Sequence, residues 1–158
     1  MTAARKRDTP PPPPDAVKEL LHAFFENHPE VILAYLFGSF ITRKTGSFND
    51  IDIAVLVIPE RLEELDRSSP YGYAAYVIAE LAHLLKYDRI DLTILNRAPP
   101  LLLRRVIGEG MLVFCRSESD RVRFEVASLK RYADTAHLRT IKRHYMRQRI
   151  KKGKASYA

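Results

Sequence analysis

The sequence predicts an α/β or α+β domain closed by a long C-terminal helix. Three observations lead there. Apolar runs of strand length alternate with segments of helical apolar spacing. Pro and Gly punctuate the joins between them. A final stretch, from Arg121 to about Ile150, carries apolar residues at helical intervals for far longer than any segment before it.

Taken in order, residues 1–14 end in five prolines, Pro10 to Pro14, and read as a disordered arm with a stiff end. Asp15 is placed to cap a helix through Val17, Leu20, Leu21, Phe24 and Phe25, with Pro29 beyond it. Val31 to Phe37 is a first strand, stopped by Gly38, and Ile51 to Ile58 a second, stopped by Pro59. Neither run alternates, so both are expected to be buried on two faces, as central strands are. Tyr73 to Leu85 has helical spacing, and Arg89 to Leu95 is a third strand. Pro99 and Pro100 open a helix carrying Leu102, Leu103, Val106 and Ile107, which Gly108 and Gly110 end. Met111 to Cys115 is a fourth strand. The last helix is expected to break near Thr135. Its seam of Val122, Val126, Leu129 and Ala133 has two places to go: the chain's own domain, or a partner. The domain is thus expected over 15–116, with a basic helical extension over 117–158.

With 158 residues, 46% hydrophobic and 28% charged, the chain has the material for one globular core. Its net charge of +7 is uneven. From Arg121 onward twelve Lys and Arg face two acids, Glu125 and Asp134, a local charge of +10 that leaves the rest at −3. The basicity belongs to the tail and points to an acidic partner there, with nucleic acid left open. A single cysteine, Cys115, excludes an internal disulfide and a cysteine-based zinc site, and fits a reducing cytoplasm. No apolar run is long enough to span a membrane, and Arg5, Lys6 and Arg7 have no apolar run behind them to make a signal peptide.

The chemistry lies in the middle. Gly38-Ser39 follows the first strand, and ten residues later Asp50-Ile51-Asp52 opens the second. Residues i and i+2 of a strand share a face, so Asp50 and Asp52 present two carboxylates together. Like charges so placed call for a cation. Hard oxygen ligands suit Mg²⁺, which also takes oxygens from a triphosphate. Two such ions roughly 3.5–4 Å apart can clamp an in-line displacement. Gly38, without a Cβ, lets a phosphate approach the backbone, and Ser39 offers a hydroxyl. Asp91, inside the apolar third strand, supplies a third carboxylate. It can share the metal or accept the proton of an attacking hydroxyl.

Phe37-Gly38-Ser39 through Asp50-Ile51-Asp52-Ile53-Ala54-Val55-Leu56 resembles the GS-x10-DxD signature of the polymerase-β-like nucleotidyltransferases. The segments from Ile90 to Pro100 and from Arg105 to Phe114 are similar to the minimal nucleotidyltransferase (MNT) antitoxins, which are paired with HEPN-family RNase toxins. The resemblance covers about residues 15–150. It implies the nucleotidyltransferase fold, a mixed sheet flanked by helices, with ATP as substrate and Mg²⁺ as cofactor. It further implies transfer of AMP to a tyrosine hydroxyl of the toxin. Family members often carry Arg-Gly three and four residues after the serine. Thr42 and Arg43 stand there instead, and Arg43 and Lys44 become the candidates for a phosphate contact.

Other readings compete. One is an antitoxin that masks its toxin without catalysis, against which the intact acidic triad argues. Another is a nucleotidyltransferase acting on RNA or on a small molecule; small-molecule members usually carry a further helical domain, and a homo-oligomer stays open. Arg139 and His144, with four residues between them, are similar to the Arg-x4-His motif of the HEPN toxins themselves, but a single helix is no RNase bundle.

Overall fold

The computed structural model describes residues 10–42 and 50–155. The two unbroken apolar runs are its central strands, β1 (Val31–Phe37) and β2 (Ile51–Val57), paired antiparallel. β4 (Met111–Cys115) joins β1 antiparallel, and β3 (Ile90–Ile94) joins β2 in parallel. The order β3-β2-β1-β4 is a mixed sheet, and it puts both long runs in the interior. Alternate side chains serve two cores. Ala34, Leu36, Ile53 and Val55 face the helices α1 (Pro14–Glu26) and α4 (Tyr73–Leu85). Leu33, Tyr35, Ala54 and Leu56 face α5 (Pro100–Glu109).

Several ends differ from the sequence reading. Pro13, not Asp15, is the N-cap of α1; Pro14 fills the first helical position, where a missing N–H is harmless, and Asp15 lies in the first turn. Strand β2 stops at Val57 because Asn96 takes over its last pairing: the side chain accepts from Val57 N at 3.0 Å and donates to Val57 O at 2.7 Å. A four-residue α2 (Ser39–Thr42) follows β1. A further helix, α3 (Pro59–Ser68), had no apolar signal to announce it: Leu62 is its one buried residue.

α3 also organises its neighbour. Asp66 accepts from the first amide of α4, Tyr73 N, at 3.1 Å and pairs with Arg97 at 2.7 Å. The Tyr73 amide, and after it Arg97, hold this carboxyl below its usual value against a smaller opposing effect of burial. Its contribution is therefore present above the ordinary carboxylate range and is lost as pH falls through the lowered value. Asp66→Ala removes a cap, which should cost about 1 kcal/mol near neutral pH. In thermal melts that is a drop of roughly 3 °C, narrowing only in acid below about pH 4. A gap that stayed constant with pH would refute the capping account.

The end of β4 is tied back to the start of the chain. Arg116 donates to Phe25 O and Val31 O at 2.9 Å and to His28 O at 3.1 Å, with its guanidinium over the Phe114 ring.

The C-terminal helix breaks where expected. α6 (Glu118–Asp134) and α7 (Ala136–Ala155) meet at Thr135. Backbone bonds carry across the joint, Thr135 N to Arg131 O at 3.2 Å and Arg139 N to Thr135 O at 3.1 Å. Arg139 locks it, stacking 3.6 Å from the Tyr132 ring centre and donating to Tyr132 O and to the Thr135 hydroxyl. His144 is bonded to Gln148 at 2.9 Å. The Arg139–His144 pair is thus spent within the helix, which accounts for it without RNase chemistry. α6 turns polar groups to the sheet: Glu125 accepts from Tyr35 OH at 2.8 Å, and Ser128 is buried. Its apolar seam points outward. Among the described residues no helix is long and apolar enough to cross a membrane.

Candidate active site

Strand β1 ends at Phe37, opposite Asp52 of β2, and Asp52 stands opposite Asp91 of β3. Three strands thereby bring Gly38, Asp52 and Asp91 to one end of the sheet. A cavity of about 530 Å³ opens there, lined by Gly38, Ser39, Thr42, Asp52 and Asp91, with Thr93, Leu102, Arg105 and Glu109 closing it.

Gly38 is required twice over. Its φ of +77° is a conformation that side chains resist, and a Cβ on it would lie 2.0 Å from Asp52 Oδ2. The backbone turns into α2 directly against the carboxylate. Ser39 opens α2, and Thr42 folds its hydroxyl back to Gly38 O at 3.2 Å.

Asp52 is the electrostatic focus. Burial raises its pKa, and the charges of Asp91 and then Asp50 raise it further. Its anion is therefore held at a cost that a cation at this spot would relieve. Asp91 is exposed, because β3 is an edge strand. The edge position spares Asp91 the burial that its apolar strand suggested; what sets it apart is its register with Asp52. Asp50 lies one residue before β2, largely exposed, 3.8 Å from Arg89. It is not among the residues that line the cavity. Among the described residues no three acidic, His or Cys side chains form a ready-made metal cage. The donor set of Asp52, Asp91 and the nearby Asp50 suits a hard cation completing its shell with substrate oxygens, as Mg²⁺ does. Arg43 and Lys44 lie outside the described residues.

Three lining residues escaped the sequence reading. Thr93 shares the face of Asp91 at i+2, a signal that was available. Arg105 and Glu109, an i,i+4 pair 3.7 Å apart on α5, reach the cavity through a packing that no local pattern records.

The polymerase beta, nucleotidyltransferase family model matches residues 19–119. The chain belongs to that family. Among solved structures, this nucleotidyltransferase is similar to a toxin–antitoxin with AMP-PNP, at 25% identity and a TM-score of 0.59, covering 82% of this chain and 98% of that one. It is similar to a tri-AMPylated Shewanella oneidensis HEPN toxin in complex with MNT antitoxin, at 25% identity and a TM-score of 0.56 over 84% and 98% of the two chains. A MntA-HpeT toxin-antitoxin mutant, in which two aspartates two positions apart are replaced by glutamate, aligns at 26% identity and a TM-score of 0.56, over 84% and 97%. No curated protein matches the nucleotidyltransferase by sequence. The likeness to MNT antitoxins seen in the motifs is matched by these structures.

Proposed function

We propose that this nucleotidyltransferase is an antitoxin enzyme that moves AMP from ATP to a tyrosine hydroxyl of a HEPN-family RNase toxin and thereby neutralises it. The observation that carries the reading is the pairing of Asp52 with Asp91 against the bare backbone of Gly38. Two similar structures support it, one holding AMP-PNP and one an AMPylated HEPN toxin. In another, the altered aspartates have the spacing of Asp50 and Asp52.

In this reading Gly38 and Ser39 receive the phosphates of ATP. Asp52 and Asp91, with Asp50 close by, would hold Mg²⁺, which when bound would supply the charge that offsets the triphosphate and the leaving pyrophosphate. The tyrosine oxygen forms a bond to the α-phosphorus as the bond to the β-phosphate oxygen breaks. The phenolic proton passes to Asp91, whose exposure on the edge strand leaves it open to an incoming protein.

Labelled ATP, Mg²⁺, the full chain and a HEPN toxin, incubated together, should leave label on a toxin tyrosine. Neutralisation without label would turn the reading into one of masking. Asp91→Asn separates the roles further. We expect turnover to fall by roughly 10²–10⁴, a larger loss than that in ATP affinity, because proton acceptance matters only in the transition state. Normal turnover with weakened ATP affinity would make Asp91 a ligand and nothing more.

A further inference from the structure

Helix α6 keeps its aliphatic stripe on the outside. The side against the domain carries Glu125, bonded to Tyr35 and to Arg121, and the buried Ser128, with Phe124 as its apolar contact to the core. Val122, Val126 and Leu129, which helical spacing puts on one stripe, are 49%, 62% and 41% exposed. The stripe resumes beyond the Thr135 joint in Leu138, Ile141 and Tyr145, again exposed. Apart from Arg139, every described side chain of α7 through Ile150 is open to solvent. A helix of 20 residues, about 30 Å long, thus stands off the domain with an apolar seam and no cover.

The charges around it say what can cover it. From Thr135 to the end of the sequence there is no Asp or Glu. Lys142 follows Leu138, and Arg149 follows Tyr145, by four residues, which puts both cations on the seam's side. Arg139, Arg143 and Arg147 repeat at the same interval, so like charges stack along the helix. A second copy laid on this seam would bring cations against cations. A nucleic acid would answer the charge but has no use for Val126, Leu138 and Ile141, since bases stack on aromatic faces rather than branched aliphatic ones.

We propose that the outer face of α6 and α7 is the docking surface for a second protein, seated through an amphipathic helix whose apolar seam is flanked by Asp and Glu. Such a partner would cover the seam, relieve the stacked cations and be drawn in by charge. The inference takes the HEPN toxin of the reading above as its probe, but it does not require transfer to occur.

The test uses the full chain carrying Asp50→Asn and Asp52→Asn, so that binding is seen without turnover. Toxin affinity is measured across a salt series for this parent and for two derivatives: Val126→Ser/Leu138→Ser/Ile141→Ser, and Lys142→Glu/Arg149→Glu. All five positions are exposed, so circular dichroism should be unchanged. ATP affinity should equal the parent's, too. Each derivative should bind toxin about tenfold more weakly or worse, and the second should lose much of the salt dependence. Three results would overturn the proposal: a parent that does not bind toxin, derivatives that bind it as the parent does, or a parent that self-associates until the Ser derivative makes it a monomer. A fourth is a short single-stranded RNA bound more tightly than toxin, with a steep salt slope that the Glu derivative abolishes. Seam-dependent binding without AMP transfer by the wild type would leave the docking surface standing and remove the enzymatic reading. AMP transfer with seam-independent binding would do the reverse.

Discussion

With Asp50 and Asp52 both changed to Asn, nucleotide transfer should fall about a thousandfold or further, while the fold persists. The carboxylates are placed to answer the charge of a triphosphate and its cation. Losing several kcal/mol of such stabilisation accounts for a loss of that order. Stability should move the other way. The Asp52 carboxyl has its pKa raised by burial and by the charges of Asp91 and Asp50. A raised value means the folded protein is most at ease with Asp52 protonated, and it loses stability as pH rises through that value. In metal-free buffer at neutral pH the double variant should therefore melt above the wild type, with the gap closing in acid. Magnesium should raise the wild-type melting temperature and leave the variant's unmoved. Unaltered transfer, or an equal response of both proteins to magnesium, would remove these residues from the metal site.

Gly38→Ala should be nearly as damaging with all three carboxylates intact. The new methyl must sit at φ +77° and 2.0 Å from Asp52 Oδ2. One of two things gives way, the turn into α2 or the position of the carboxylate. We expect about 1–3 kcal/mol of lost stability and transfer reduced by roughly a hundredfold. A melt and an initial rate measured on the same preparation check both. If Gly38→Ala keeps wild-type rates, close backbone approach at this position is irrelevant to the chemistry.

The core of this arrangement could be read along the chain because it is built from short-range patterns. The unbroken runs at Val31–Phe37 and Ile51–Val57 announce strands covered on both faces, and Gly38-Ser39 and Asp50-Ile51-Asp52 sit at their ends. What lay hidden was pairing. Nothing local says that β3 lies parallel to β2 with Asp91 opposite Asp52, yet that register decides which carboxylates meet. The helix α3 was missed for a different reason: it is mostly charged, and a helix that buries only Leu62 leaves almost no apolar period to detect. The C-terminal helices show the opposite limit. Periodicity found the seam of Val122, Val126 and Leu129, but a period records that a stripe exists and not what it faces. Arg43 and Lys44, raised as phosphate contacts by the departure from the family's pattern, keep that role as a proposal.

Arg116 bears on how the molecule comes together. The end of α1 is closed locally, by His28 N on Phe25 O and Val31 N on His28 O, and the same two carbonyls accept a second bond from a guanidinium some ninety residues downstream. The same group reaches Val31 O, where β1 begins. The first helix of the domain is therefore finished by its own neighbours and tied a second time, to the last strand. A chain growing from its N-terminus can form and cap α1 early, but the tie to β4 waits until residue 116 has been made. Once that latch closes, the two ends of the domain unfold as one cooperative unit, with α1 no more separable from β4 than β4 is from the sheet.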